Sequence, residues 1–417
     1  ASLGGAGTVE NANGSAATLT TGGNGSSTAF SGTIQNGTGG GALALTKVGT
    51  GTLTLSEANT YTGSTIIEDG TLQADVADVA GVSGALGNGG DVTFGGGTLQ
   101  YTANSAGTDY GPRIKNSTQA IKLDTNGEDI TLSWGAGALP QSNVGGLTKL
   151  GAGTLTLSDT DSGNMLNTVY SGNTTIDGGT LKVTSTGNDV FQRYAADTIT
   201  VNNGAIFEIV NNSGWFVFYR KAFVFGPSGA GTIDVSGAAI FQMPSFSGTT
   251  FSTSGGSQNT ISGDNLQLQN EQKLIFDTAD GDDAIDLRVS TLISGGTPSR
   301  ITKNGAGVLS LTANSTAYYG GLTINAGTLE LGGNGRFASG NHTTTITNNA
   351  VFKHSSDQTQ TLSGAITGTG SVWKSSAQAL TLSGNNSYSG ATTVDGNLWA
   401  GSATGLSSDS AFTVNSG

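Results

Sequence analysis

Apolar and polar residues alternate along most of this chain with a period of two. In GTLTLS (51–56), Leu53 and Leu55 fall on one side of an extended backbone, and Thr52 and Thr54 on the other. GTLQA (70–74) repeats the pattern with Leu72 and Ala74. This is the period of a strand, and the Thr, Val and Ile that fill it suit a pleated, half-buried surface. The runs last four to six residues and end at Gly, Asn-Gly or Asp-Gly. Those residues supply the positive φ that a sharp corner needs. No segment carries a convincing helical period.

The runs are grouped into phrases that return. LTKVGTGTLTLSEANTYTGSTIIEDGTLQ (45–73) comes back as LTKLGAGTLTLSD (147–159) with VYSGNTTIDGGTLKV (169–183). It returns as ITKNGAGVLSLTANSTAYYGGLTINAGTLEL (301–331), and in degenerate form as VWKSSAQALTLSGNNSYSGATTVDGNLWA (372–400). One phrase contains the strand runs TLTLS, STIIE and TLQ. Three strands and three turns make one triangular coil of about 20–28 residues. Coils stacked in parallel about 4.8 Å apart leave room for unequal spacing between copies, and the pattern runs on past both ends, which a closed barrel would not allow. The expected fold is all-β, a right-handed parallel β-helix or β-solenoid with three-strand coils. It is expected to form one continuous, elongated rod over 1–417, on the order of 80–95 Å long. An irregular region is expected over 186–300. The closing DSAFTVNSG (409–417) stops where the similar DTITVNNGAIFEI (197–209) continues, which predicts a segment of a longer repetitive protein.

The phrase K-x-G-x-G-T-L-T-L-S followed by N-T-Y-T-G and G-T-L resembles the passenger-associated transport repeat of bacterial autotransporters. The resemblance rests on Lys47, Gly49, Gly51, Thr52, Leu53, Thr54, Leu55, Ser56, Asn59, Tyr61, Thr62, Gly63 and Gly70-Thr71-Leu72. The second copy has an insertion before Tyr170 and the third has Val308 in place of Thr. The fourth loses both early glycines around Ser375 and Ala377. The resemblance implies a secreted β-helical passenger, displayed outside the cell and linked to the outer membrane in the full-length protein. It implies adhesion, self-association or a stalk, and no particular chemistry.

Charge narrows the partners. The 417 residues include 16 Lys and Arg against 29 Asp and Glu, a net charge of −13. That opposes nucleic acid and anionic membrane surfaces, which need basic patches. No apolar run is long enough to span a bilayer, so direct membrane insertion by this segment is not expected. The 69 Gly follow no G-X-Y period, which excludes collagen. Cys is absent, which by itself leaves the compartment open.

Each candidate for chemistry has a structural competitor. Lys47, Lys149, Lys303 and Lys374 recur with the phrase and are expected as solvated residues at strand starts, where they discourage lateral pairing. The pairs Gly49/Gly51, Gly151/Gly153 and Gly305/Gly307 lack the further residues of a phosphate loop and open strands, so they are expected at corners. With Leu53, Leu55, Tyr61, Gly70 and Leu72, Gly49 and Gly51 form the structural skeleton of the repeat. FDTADGDDAIDL (276–287) holds Asp277, Asp280, Asp282, Asp283 and Asp286. Its first four carboxylates are a candidate Ca²⁺ site, with a solvated acidic loop as the competing reading. No other cofactor is expected.

The block GWFVFYRKAFVF (214–225) puts bulk on both faces of a strand. Trp215, Phe216, Phe218, Tyr219, Arg220 and Phe223 are a candidate interaction patch; a wider coil or a packed hairpin is the competing reading. Catalysis has little support. His342 and His354 lack a nucleophile elbow, and Zn²⁺ is disfavoured without Cys. The acids Glu68, Asp69, Asp177 and Asp395 recur because a turn recurs. No catalytic residue is assigned. The expected role is a non-enzymatic extracellular stalk, adhesin or self-assembling fibre segment. Its partners would be other copies of itself, joined laterally or end to end, or a surface receptor or glycan. A filament or sheath subunit and a polysaccharide lyase or glycosidase on the same scaffold are the alternatives.

Overall fold

A computed structural model describes residues 1–133, 142–158, 170–185, 189–191, 197–202, 204–211, 215–218, 222–243, 248–268 and 272–415. The chain divides into two compact units, Ala1–Thr186 and Gly187–Gly417. Both are stacks of short strands. Among the described residues there is no α-helix, only the short 3-10 turns Gly111–Arg113 and Ala338–Gly340. Every pairing between the described strands is parallel, each strand bonding to its counterpart one coil later. In Ala1–Thr186, for example, Thr52–Leu55, Thr71–Ala74, Thr98–Gln100, Ile121–Asp124, Leu147–Leu150 and Thr174–Ile176 follow one another in a single sheet.

The registers turn the period of two into vertical columns. Leu53, Leu72, Leu99, Leu123, Lys149 and Ile176 are consecutive Cα partners on the inner face. All six are buried. Each inward aliphatic side chain stabilises the stack by roughly 1.5–3 kcal/mol. Facing outward, Thr54, Gln73, Gln100 and Asp124 form a chain of hydrogen bonds. The Thr54 hydroxyl donates to the Gln73 Oε1 (2.8 Å), and each amide then donates to the next acceptor (2.7 and 2.8 Å).

In Gly187–Gly417 the corresponding inner column runs Phe223, Phe251, Phe276, Lys303, Ile324. Its rings stack at 4.8 and 5.8 Å between centroids. Another inner column runs Leu287, Leu309, Leu329, Phe352, Val372 and Thr392. The strands Thr232–Met243 and Asn259–Leu268 are long, and their pairing shifts register between Val235 and Ile240.

Corners stack as strands do. Gly49 has φ +70°, and a Cβ there would lie 2.2 Å from the Gly22 carbonyl oxygen. Gly70, at φ +62°, meets the Gly49 carbonyl in the same way at 2.4 Å. Only glycine satisfies both the backbone angle and the close approach of the coil below. Gly49 and Gly70 are therefore corner residues.

Candidate functional site

The recurring lysines are inside the protein. Lys47 is 1% exposed, and Lys149, Lys303 and Lys374 are fully buried. This overturns the expectation of solvated residues at strand starts. Lys47 closes the strand Leu43–Lys47, whose inward positions are Leu43, Leu45 and Lys47. It therefore lies on the core face, with Thr21 below and Ile67 above.

The core accepts the ammonium because the corner turns its carbonyls inward. Lys47 Nζ donates to the oxygens of Val48 (3.0 Å), Gly49 (2.7 Å) and Asp69 (3.1 Å). Lys149 Nζ donates to Leu150 (2.9 Å), Gly151 (2.8 Å) and Gly178 (3.1 Å). Lys303 Nζ donates to Asn304 (2.6 Å), Gly305 (2.8 Å) and Ala326 (3.2 Å). Three donors thus meet three acceptors. Two acceptors belong to the lysine's own corner and the third to the next coil, so the ammonium clips successive corners together.

Burial lowers the pKa of all four lysines, and of Lys149, Lys303 and Lys374 to about 8. Nearby carboxylates act against this: Asp69 on Lys47, Asp124 and Asp129 on Lys149, Asp277 and Asp286 on Lys303. Lys374 differs. Ser376 and Gln378 stand where Gly49 and Gly51 stand in the first copy. Its Nζ bonds to the carbonyl oxygen and to the hydroxyl of Ser376 (2.8 Å for the latter). Its neighbour one coil below in the inner column is His354. His354 is fully buried, and neither ring nitrogen has a hydrogen-bond partner. Burial, then the charge of Lys374, lowers its pKa to about 4. His342 is also buried; its Nε2 lies 2.9 Å from the Gly320 oxygen.

A second repeated device is a tyrosine folded into the core. Tyr61, Tyr170 and Tyr388 each share a hydrogen bond with the threonine four residues on, at 2.7, 2.8 and 2.8 Å. In the third copy Leu322 replaces that threonine, and the Tyr318 hydroxyl donates to the Gly321 oxygen at 2.6 Å. Two asparagines link coils through the core. Asn59 Oδ1 accepts from the Ile34 N–H (2.8 Å), and its Nδ2 donates to the Ala85 oxygen (2.8 Å). Asn386 does the same between Ile366 and Gly405.

The acidic segment does not draw its carboxylates into one cluster. No three His, Asp or Glu side chains among the described residues form a metal-binding group. Asp277, Asp280, Asp282 and Asp283 are exposed. The Asp283 carboxylate accepts the Gln258 N–H at 2.7 Å. Asp286 is buried and accepts the N–H groups of Gly281 and Val308, both at 2.6 Å. The carboxylates thus organise the corner and, through Asp277 and Asp286, favour the charged form of Lys303.

Of the aromatic patch, Phe223 is fully buried in the phenylalanine stack, so it cannot present a contact surface. It alternates inward with Phe225 in the strand Ala222–Phe225. Trp215, Phe216 and Phe218 lie in the strand Trp215–Phe218, which pairs with Asp189–Phe191 on one side and Ile240–Gln242 on the other. Tyr219 and Arg220 lie outside the described residues. The turn acids are scattered: Glu68, Asp177 and Asp395 occupy the same corner position in three separate copies, and Asp69 follows Glu68. Asp395 accepts the Trp373 indole N–H at 2.6 Å.

One cluster had no signature in the sequence. Arg113 donates to the carbonyl oxygens of Gly90 (2.8 Å) and Leu86 (2.5 Å) and pairs with Asp78 at 3.4 Å. The Tyr110 hydroxyl donates to Asp78 at 2.9 Å. These residues hold the excursions 75–91 and 101–115 against the stack. Their spacing follows no repeat, which is why the sequence pattern does not announce them.

Stacked parallel coils whose buried lysines, tyrosines and glycine corners recur in register define a β-solenoid built from a repeated phrase. The family model of the passenger-associated-transport-repeat matches residues 45–74, 147–183, 301–331 and 374–396. The chain is similar to the adhesin BmaC autotransporter of Brucella suis biovar 1 (strain 1330), with 31% identity over 241 residues. That covers 54% of this chain and 7% of the relative's length. No solved structure matches.

Proposed function

We propose that this solenoid is a non-enzymatic adhesive segment, displayed at the surface of a bacterium as part of an autotransporter passenger. The observation that carries this reading is the fate of the reactive side chains of the repeat. Lys47, Lys149 and Lys303 are spent on corner carbonyls, and both histidines are buried. What the coils offer outward is a surface of Thr, Ser, Asn and Gln, such as the Thr54–Gln73–Gln100 column. The likeness to an adhesin autotransporter supports the same reading. Weak contacts repeated along such a surface add through effective concentration.

The test is display of this chain on a non-adherent bacterium through a foreign outer-membrane anchor. Cells carrying it should bind epithelial monolayers or extracellular matrix several-fold better than cells carrying the anchor alone. Equal binding would overturn the adhesive reading. Release of reducing ends from polysaccharides by the purified chain would overturn the non-enzymatic one.

A further inference from the structure

The outer face of Gly187–Gly417 carries a cleft of about 410 Å³, within the size range of small-ligand sites. It is lined by Thr297, Ser299, Thr323, Thr344 and Thr347, with Arg300 among them. Thr323 and Thr347 are Cα partners in adjacent coils, half-buried, and their hydroxyls are not bonded within the protein. The Thr344 hydroxyl donates to the Tyr319 carbonyl oxygen at 2.7 Å, which fixes one rim.

The charge of this cleft runs against that of the chain. The protein carries a net −13, yet Arg300 is exposed here and its cross-strand neighbour is Lys273, another exposed cation. Neither forms an ion pair among the described residues, unlike Arg113 with Asp78, Lys115 with Asp91 and Lys353 with Glu330. Asp277, the carboxylate of the same strand pair, stands at its far end beside Asn304. Like charges placed directly opposite on a sheet repel, and a bound anion relieves that repulsion.

We propose that this cleft binds a carboxylated saccharide, with Arg300 holding the carboxylate and the threonine hydroxyls holding ring hydroxyls. A planar guanidinium matches a carboxylate in a two-point contact, and Lys273 lies one coil below to favour a second anionic unit. The ring of hydroxyl groups suits a polyhydroxylated ligand and not an apolar one. The proposal rests on the adhesive reading and names a ligand class for it.

The experiment titrates the full chain with three probes, followed by isothermal calorimetry and by NMR of the ligand. The probes are an oligosaccharide of a uronic acid, a sialylated oligosaccharide, and the uronic oligomer with its carboxyls reduced to alcohols. At least one acidic probe should bind, weakening as salt rises, and the reduced oligomer should bind at least tenfold more weakly. Arg300→Ala should lower affinity on the order of 10–100-fold, and Thr323→Val about 3–10-fold. The two acidic probes separate uronic from sialic recognition.

Equal binding of acidic and reduced sugars overturns the proposal, as does unchanged affinity in a folded Arg300→Ala chain. Should that variant misfold, Thr323→Val decides on the same terms. No binding of either acidic sugar also overturns it. If displaying cells still adhere in that case, the adhesive reading survives and this ligand assignment does not.

Discussion

The region around Lys374 treats the buried cation differently from the regions around the other three lysines, and the corner sequence is the reason. In Ala1–Thr186, Lys47 and Lys149 each reach three carbonyls, one of them in the next coil. In Gly187–Gly417, Lys303 keeps this arrangement, while Lys374 bonds only within Ser376. The glycine corners that turn carbonyls toward the first three lysines are Ser and Gln at the fourth. Lys374 also shares its column with His354, whereas no histidine occurs in Ala1–Thr186. A charge is stable in this core where neighbouring backbone has been shaped to receive it.

The largest expected effect comes from removing an intact clip. Lys149→Ala or Lys303→Ala leaves a cavity and takes the ammonium from three carbonyls, of which only Leu150 or Asn304 keeps a donor in the Thr125 or Thr278 N–H, for a loss of roughly 3–5 kcal/mol. Lys374→Ala should cost clearly less. Stacked coils need not unfold in one step, so local hydrogen exchange over 147–183, 301–331 and 372–396 is the measurement. Equal losses at all three sites would refute the contrast between the clips.

Acid comes next. The pKa of His354 is about 4 in the folded protein, below the ordinary 6.5. Between those values the unfolded chain binds more protons, so stability falls as pH drops from 6.5 to 4, by about 3 kcal/mol at full effect. His342, also lowered, acts in the same direction. Exchange protection around 342–376 should fail at pH 4.5 before that of 45–74 does, and His354→Leu should delay it. Simultaneous loss in both units would assign acid sensitivity to something else.

Alkali should act in the opposite sense. Lysines at about 8 in the folded state and 10.5 unfolded bind fewer protons folded, so stability rises with pH between these values. Above about pH 10 the buried tyrosines, whose pKa values are raised by burial, reverse the trend. Thermal midpoints from pH 8 to 10 should climb in the native chain and climb less steeply in Lys303→Met, which removes one of the three lysines responsible. The smallest effect belongs to the tyrosines. Tyr61→Phe should cost about 1 kcal/mol, the value of one buried hydrogen bond. Tyr318→Phe leaves a carbonyl instead of a threonine unpaired and should cost a similar amount, read from urea midpoints.

Much of the fold was legible beforehand. Leu53 and Leu55 point inward, Thr52 and Thr54 do not, and Gly49 and Gly70 sit at corners, all from period and residue type. The lysine position was legible too, since L-T-K at 45–47 and 147–149 puts Lys two residues after an inward Leu. Charge so seldom occupies a core that residue type points to a solvated surface even where the alternation points inward. Phe223 is ambiguous for a related reason: in consecutive bulky residues, period alone does not say which face is inside. The brace of Asp78, Tyr110 and Arg113 and the cleft at Arg300 join positions from different coils and had no local signal.

The sequence by itself determined the coil. Extended alternation and left-handed glycine corners are local properties of the backbone, and they repeat because the phrase repeats. The tertiary structure decided what the polar side chains do. An ammonium or a carboxylate takes its role from the groups around it. Here those groups arrive from the next coil, some 20 residues away in sequence and about 4.8 Å away in space.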